Sequence, residues 1–309
     1  MREVKTYILA YLDVLGFTKL VEDKGLEEVY EMYENLIDKV DHVAEHYRLG
    51  GFHVPVPVSK REMGYAYAWG FNLEYSYASD TILIWCEFNR FNIVPFLECI
   101  NTLFCSALEI EMPLRGTITF GDAILSKSEN IYIGKPIIEG AICEKNQAWM
   151  GISFGYSLIS NIEFGWIGNL KNVIPFRDHI KTKEYKGNKQ NSSSQYMITS
   201  LVLDWPRFIR TNGKSEEITH WLDSKANCQS LPSSVKDYYA LTKKFVEYSQ
   251  EYSDWHNGFS FQKSRIGGYF EDEAKKTVFV YSFAEEWFNN RAQVRPIAVL
   301  DVNKEGNNK

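Results

Sequence analysis

A chain of 309 residues with 45% hydrophobic content and a formal net charge of -6 can bury one or two sizeable cores. The acidic balance argues against broad electrostatic binding to nucleic acid, leaving room only for a local basic site. No apolar run reaches membrane-span length and no signal-peptide pattern opens the chain, so the expectation is a cytoplasmic protein with no membrane insertion. The cysteines Cys86, Cys99, Cys105, Cys143 and Cys228 contain no C-x-x-C pair and read as reduced thiols.

In chain order, residues 6–12 form a nearly continuous apolar run that suits a strand buried on both faces. Asp13 stands at its end, followed by Val14, Leu15 and Gly16. A carboxylate there is costly unless a cation, a metal or a backbone hydrogen bond answers it. After Gly25, apolar residues from Leu26 through Tyr33, Leu36 and Val40 to Tyr47 recur every three or four positions. This predicts an amphipathic helix ended by Gly50 and Gly51. His42 and His46 lie one turn apart on it, and without a third ligand they read as a solvated face. Two prolines bar residues 53–58 from a sheet interior, so the segment to about Gly70 reads as a loop or edge flap.

Residues 71–77 and 81–85 flank Ala78, Ser79 and Asp80 as a hairpin, with Asp80 at or just after its turn. Pro95 opens a helix with Leu97, Ile100, Phe104, Ala107 and Leu108 on one face. Residues 114–121 alternate as a strand, and 131–133 form a short one. A helix over 136–149 and a strand over 152–154 follow. The order β-α-β-β-α-β-β-α-β contains the split βαβ arrangement of ferredoxin-like and palm-type sheets, an α+β fold. It is expected to lay the first strand beside the hairpin's first strand. The end of the first strand then meets the hairpin turn, bringing Asp13 alongside Asp80.

Residues 181–195 are polar and Gly/Ser-rich, a linker or mobile loop. It separates a domain over 1–180 from a C-terminal α/β extension over 196–309 that packs on it. The extension opens with V-L-D-W-P, carries a helix marked by Tyr238, Leu241, Phe245, Tyr248 and Tyr252, and ends in strand-like runs at 277–281 and 297–302.

Two converging aspartates repel, and a divalent cation resolves that repulsion while supplying Lewis acidity. Magnesium or manganese at paired carboxylates points to phosphate chemistry. The alternative is that each Asp is a turn or cap residue. Asp122, after Gly121, is a third candidate by proximity, although G-D after a strand is commonly a simple turn.

The strings Y-L-D-V-L-G-F, Y-A-S-D-T-I-L-I-W, L-R-G-T-I-T-F-G-D-A and I-Y-I-G-K-P-I-I-E-G-A, in this order over residues 4–175, resemble the class III nucleotidyl cyclase homology domain. More closely, the chain resembles the pyrimidine cyclases of bacterial Pycsar antiphage systems, which make cyclic CMP or cyclic UMP. The resemblance implies that CTP or UTP is cyclised with release of pyrophosphate, using two Mn2+ or Mg2+ ions per site. It implies a homodimer and a separate effector activated by the cyclic nucleotide. Asp13 and Asp80 match the metal-binding aspartates, and Val14 the residue whose carbonyl also binds metal. Leu15, Gly16 and Phe17 match the turn whose amides hold the triphosphate. Arg115 is either a phosphate contact or a salt-bridged structural arginine. Tyr75, Ser76 and Tyr77 are candidates for the base pocket.

The chain departs from the family pattern at three positions. Ser76 stands where adenylyl cyclases carry the lysine that selects adenine, which speaks against ATP. Glu139 and Cys143 occupy the positions of the Asn and Arg that steady the ribose and the transition state. Lys135, Lys145 or Asn146 are candidates to replace them. A cyclase-fold nucleotide sensor without turnover is the competing reading. A polymerase palm fits poorly, since no basic template channel is evident.

Overall fold

The apolar run at the start of the chain forms β1 (Lys5–Val14). Its two ladder partners and the two cores on its faces position the elements around Asp13. The computed structural model describes residues 3–50, 52–57, 63–68, 70–89, 91–161, 167, 170, 172–181 and 198–258. The expected linker over 181–195 lies, apart from Lys181, outside the described residues, and so do the strand-like runs at 277–281 and 297–302.

Two helices, α1 (Phe17–Lys24) and α2 (Leu26–Gly50), follow β1. Gly25, at φ 85°, separates them. The expected flap over 53–70 is a two-stranded sheet of β2 (Phe52–Pro57) and β3 (Met63–Ala68), apart from the main sheet. The hairpin is β4 (Glu74–Ala78) and β5 (Thr81–Glu87), and α3 (Ile93–Glu109) follows it. Next come β6 (Leu114–Ser126), β7 (Ile131–Gly134), α4 (Lys135–Lys145), β8 (Gly151–Gly155) and the short α5 (Tyr156–Ile159). The remaining elements are β9 (Val173–Pro175), β10 (Ile198–Leu203), α6 (Trp205–Thr211), α7 (Ser215–Ala226) and α8 (Ser233–Gly258).

The main sheet runs β4-β5-β1-β6-β8-β10-β9, with β7 paired to β6. β1 is antiparallel to both β5 and β6. This is the strand order of a split βαβ unit, and the fold is α+β as expected. One detail differs from expectation. β1 lies beside the hairpin's second strand, β5, and β4 takes the edge. Burial explains the choice. Ile82, Leu83, Ile84, Trp85 and Cys86 are all buried and suit a central position, whereas none of the five residues of β4 is buried. The end of β1 still meets the hairpin turn, because Asp13 pairs with Thr81.

Period-two alternation divides β1 between two cores. Ile8, Ala10, Leu12 and Val14 enter the large core with α2 and α3. Tyr7, Leu9 and Tyr11 enter a smaller one on the opposite face, joined by Leu83, Trp85 and Ile137. α3 is buried on most of its circumference rather than on one stripe, since α2, β6 and α6 all pack against it. Each fully buried Leu, Ile or Phe here contributes about 1.5–3 kcal/mol.

The described segment beyond residue 195 contributes β10 to the same sheet. β10 lies between β8 and β9, antiparallel to each. On α8, Phe245 is fully buried and meets Trp149 edge-on at a centroid separation of 4.6 Å.

Candidate functional site

The site is built at the C-terminal end of β1. Asp13 shares a face with Tyr11 by alternation and sits opposite Arg115 of β6. On its other side is Thr81, so Asp80, in the hairpin turn, is one step from the strand paired to Asp13. The Val14 amide donates to the Asp80 carbonyl at 2.8 Å, fastening the turn to the strand end. Tyr33 of α2 holds the turn from the opposite side, its hydroxyl donating to the Ser79 carbonyl at 3.0 Å. Ser79 itself takes φ 57°.

The electrostatics single out Asp13. Burial foremost, then the Glu144 charge, push its carboxyl from an ordinary 3.8 up to about 6. Arg115 opposes the rise, Asp80 adds to it, and Lys145 opposes it. The surroundings therefore supply too little positive charge for the ionised form. A cation bound between Asp13 and Asp80 would supply it, and their hard oxygen donors suit Mg2+ or Mn2+. Among the described residues no group of three or more His, Cys, Asp or Glu side chains is gathered to hold a metal. A metal here would rely on the two carboxylates and backbone oxygen. Burial, with the Asp80 and Asp13 charges, also pushes the Tyr33 hydroxyl well above its ordinary value.

Arg115 is committed to protein partners. Its side chain is only 9% exposed. Nε donates to Glu144 Oε1 at 2.6 Å, and Nη2 donates to the same oxygen. Nη1 donates to the Gln147 carbonyl at 2.9 Å and to the Tyr238 hydroxyl at 3.2 Å. Nη2 also lies 3.9 Å from Asp13 Oδ2, a Coulombic contact beyond hydrogen-bond length. Of the two roles read from the sequence, these bonds match the structural arginine.

At the turn after β1, the Leu15 amide is occupied by the Pro113 carbonyl at 2.9 Å. Gly16 adopts φ 72°, which favours glycine, and begins α1 with no side-chain cap on the helix. The amides of Gly16 and Phe17 are thus better placed than that of Leu15 to meet an anion.

The hairpin residues divide between faces. Ser76 pairs with Leu83, which pairs with Tyr11, so Ser76 shares the face of Asp13. Tyr75 and Tyr77 lie on the opposite face. Tyr75 donates to Asp41 at 3.4 Å and lies under the Lys127 ammonium. Tyr77 is 40% exposed and packs against Tyr33 at 5.3 Å. Asp122 is removed from the site. It pairs with Thr6 near the other end of β1, about 23 Å from Asp13 at ~3.3 Å per residue, and accepts the Thr6 hydroxyl at 2.6 Å.

On α4, Glu139 and Cys143 are each 1% exposed, and Glu139 accepts the Ser157 amide at 3.0 Å. The charges that reach Asp13 are on the next residues, Glu144 and Lys145. Glu144 and Tyr238, which bond Arg115, are not among the site residues expected from the sequence. Glu144 had one signal, a carboxylate one residue after an apolar Cys143. Tyr238 had none that pointed to Arg115.

No family model matches the sequence, and no curated protein matches it. Among solved structures, the chain is similar to the adenylyl cyclase CyaB from P. aeruginosa, at 10% identity over 65% of this chain and 94% of that one, with a TM-score of 0.40. It is also similar to a bacterial light-regulated adenylyl cyclase, at 12% identity over 50% of this chain and 44% of that one, with a TM-score of 0.32.

Proposed function

We propose that the protein is a nucleotidyl cyclase that converts CTP or UTP to the 3',5'-cyclic monophosphate and pyrophosphate, acting as a homodimer. The observation that carries this reading is the meeting of Asp13 and Asp80 at the end of β1. The sequence resemblance supplies the reaction class, and Ser76 in place of the adenine-selecting lysine supplies the preference against ATP. On the same resemblance, the product is a second messenger of antiphage defence that activates a separate effector.

In this reading Asp13, Asp80 and the Val14 carbonyl hold the divalent ions. Bound there, Mn2+ or Mg2+ would supply the Lewis acidity that eases loss of the ribose 3'-hydroxyl proton and neutralises the triphosphate. The Gly16 and Phe17 amides, at the positive end of α1, take triphosphate oxygens. The Arg115–Glu144 pair backs Asp13 and leaves its outward oxygen positions to the ligand. Ser76 offers a hydroxyl toward the face on which the nucleotide lies.

Incubating the purified protein with Mn2+ and each of the four ribonucleoside triphosphates tests the proposal. The expected result is pyrophosphate and a cyclic monophosphate from CTP or UTP. A second reading, a sensor that binds nucleotide without turnover, is favoured by one observation: Glu139 and Cys143 are sealed in the interior. Nucleotide binding with no pyrophosphate from any of the four would select that reading.

A further inference from the structure

α8 presents Tyr238, Thr242, Phe245 and Ser249 along one face, spaced by four, three and four residues. The last three are fully buried. Phe245 packs on Trp149, and Thr242 accepts the Met150 amide at 2.9 Å. This face is therefore fixed against the start of β8. Tyr238 continues the same row to Arg115, meeting Nη1 with its hydroxyl at 3.2 Å, while the guanidinium carbon lies 5.5 Å from its ring centroid.

The guanidinium has five N–H groups. Two serve Glu144, one the Gln147 carbonyl and one Tyr238. The fifth, on Nη2, has Asp13 Oδ2 3.9 Å away. Arg115 is thus held near Asp13 but stopped about 1 Å short of a hydrogen bond. If it closed that gap, it would occupy a carboxylate oxygen that a divalent ion needs.

We propose that Tyr238 is a positioning residue that restrains Arg115 and so keeps Asp13 open to a divalent cation. The inference rests on the metal-site reading above. It assigns to α8, far along the chain, control over the cation affinity of the β1 site. Without the Tyr238 hydroxyl, Nη1 keeps only its Gln147 bond, and the guanidinium can pivot about its Glu144 bonds toward the charge it faces.

The test measures Mn2+ binding to the ligand-free protein, reading unbound Mn2+ by electron paramagnetic resonance. The wild type is compared with Asp13→Ala, Tyr238→Phe, Tyr238→Ala and Tyr239→Phe. Tyr239 packs on Trp221 and serves as a control for the integrity of α8. The expected result is tight binding lost in Asp13→Ala, weakened about fivefold in Tyr238→Phe and more in Tyr238→Ala, and unchanged in Tyr239→Phe. In turnover, the Mn2+ concentration for half-maximal rate rises in Tyr238→Phe while kcat at saturating Mn2+ is kept, a split that simple loss of folded protein does not produce. Wild-type affinity in Tyr238→Phe would overturn the positioning role and leave the metal site standing. Absence of Asp13-dependent Mn2+ binding in the wild type would overturn both.

Discussion

Gly140 gives the sharpest test of how α4 sets the site. A Cβ built there would lie 2.5 Å from the Tyr11 Cβ. Carbon atoms pack comfortably at about 3.5–4.0 Å, so Gly140→Ala requires α4 and β1 to separate by roughly 1 Å. Tyr11 stands two residues before Asp13 on the same face, and Glu144 is one helical turn beyond Gly140. The shift therefore moves the Arg115–Glu144 pair relative to Asp13. Overpacking costs about 1–3 kcal/mol, and the better helix propensity of Ala returns up to about 1 kcal/mol. The net loss is about 0–3 kcal/mol, seen as a fall in Tm. Catalysis should suffer more, since a misplacement of about 1 Å can cost roughly 100-fold in rate. Thermal unfolding and Mn2+-dependent cyclic nucleotide formation, measured on one preparation, separate the two effects. The exposed Ile138→Ala on the same helix is the control. A Gly140→Ala protein with raised Tm and undiminished turnover would refute the claim that close contact of α4 with β1 sets the geometry.

Asp13→Ala and Asp80→Ala should each reduce cyclic nucleotide formation at least ~1000-fold while keeping the circular dichroism of the wild type; a rate within tenfold of wild type in either would remove that residue from the site. Asp204 is 1% exposed, and burial pushes its carboxyl from an ordinary 3.8 up to about 6 against the Ser249 hydrogen bond and the charges of Arg210 and Arg207. The folded state therefore binds this proton more tightly than the unfolded chain, so stability is lost as pH rises from about 4 through about 6, by roughly 3 kcal/mol in all. Urea unfolding should find Asp204→Asn more stable than wild type at pH 8 and equal to it at pH 4, whereas a variant weaker at pH 8 would show that the carboxylate's partners outweigh its burial. A Cβ at Gly116 would meet the Tyr11 carbonyl at 2.5 Å and Leu12 Cδ2 at 2.4 Å, so Gly116→Ala should lower stability by about 1–3 kcal/mol in the same assay, and an unchanged midpoint would mean that β1 and β6 yield there.

The parts of the site legible in the sequence were those encoded locally. A strand of apolar residues ending in Asp13, and a hairpin turning at Asp80, each declare themselves within ten residues. The split βαβ order then suffices to bring them together. The identity of the neighbouring hairpin strand was legible too, although the expectation took the other one. The unbroken Ile82, Leu83, Ile84, Trp85, Cys86 run suits a central strand better than Glu74, Tyr75, Ser76, Tyr77 does. On α4 the difficulty was one of phase. Residues 139 and 143 face the interior, and the residue next to Cys143 brings its charge to Asp13. A short helix with apolar and polar residues on all sides gives no periodic signal strong enough to fix that rotation.

The partners of Arg115 illustrate what local pattern cannot carry. Glu144 is 29 residues away and Tyr238 is 123 away. Their meeting depends on where α4 and α8 dock, which the sheet determines. Because β10 lies between β8 and β9, the segment beyond residue 195 supplies an interior strand. α6 and α8 pack on each other through Trp205 and Phe245, both fully buried. The same packing that inserts β10 carries Tyr238 to Arg115. The environment of Asp13 is thus a consequence of completing the sheet, and its charge balance is written in three separate parts of the chain.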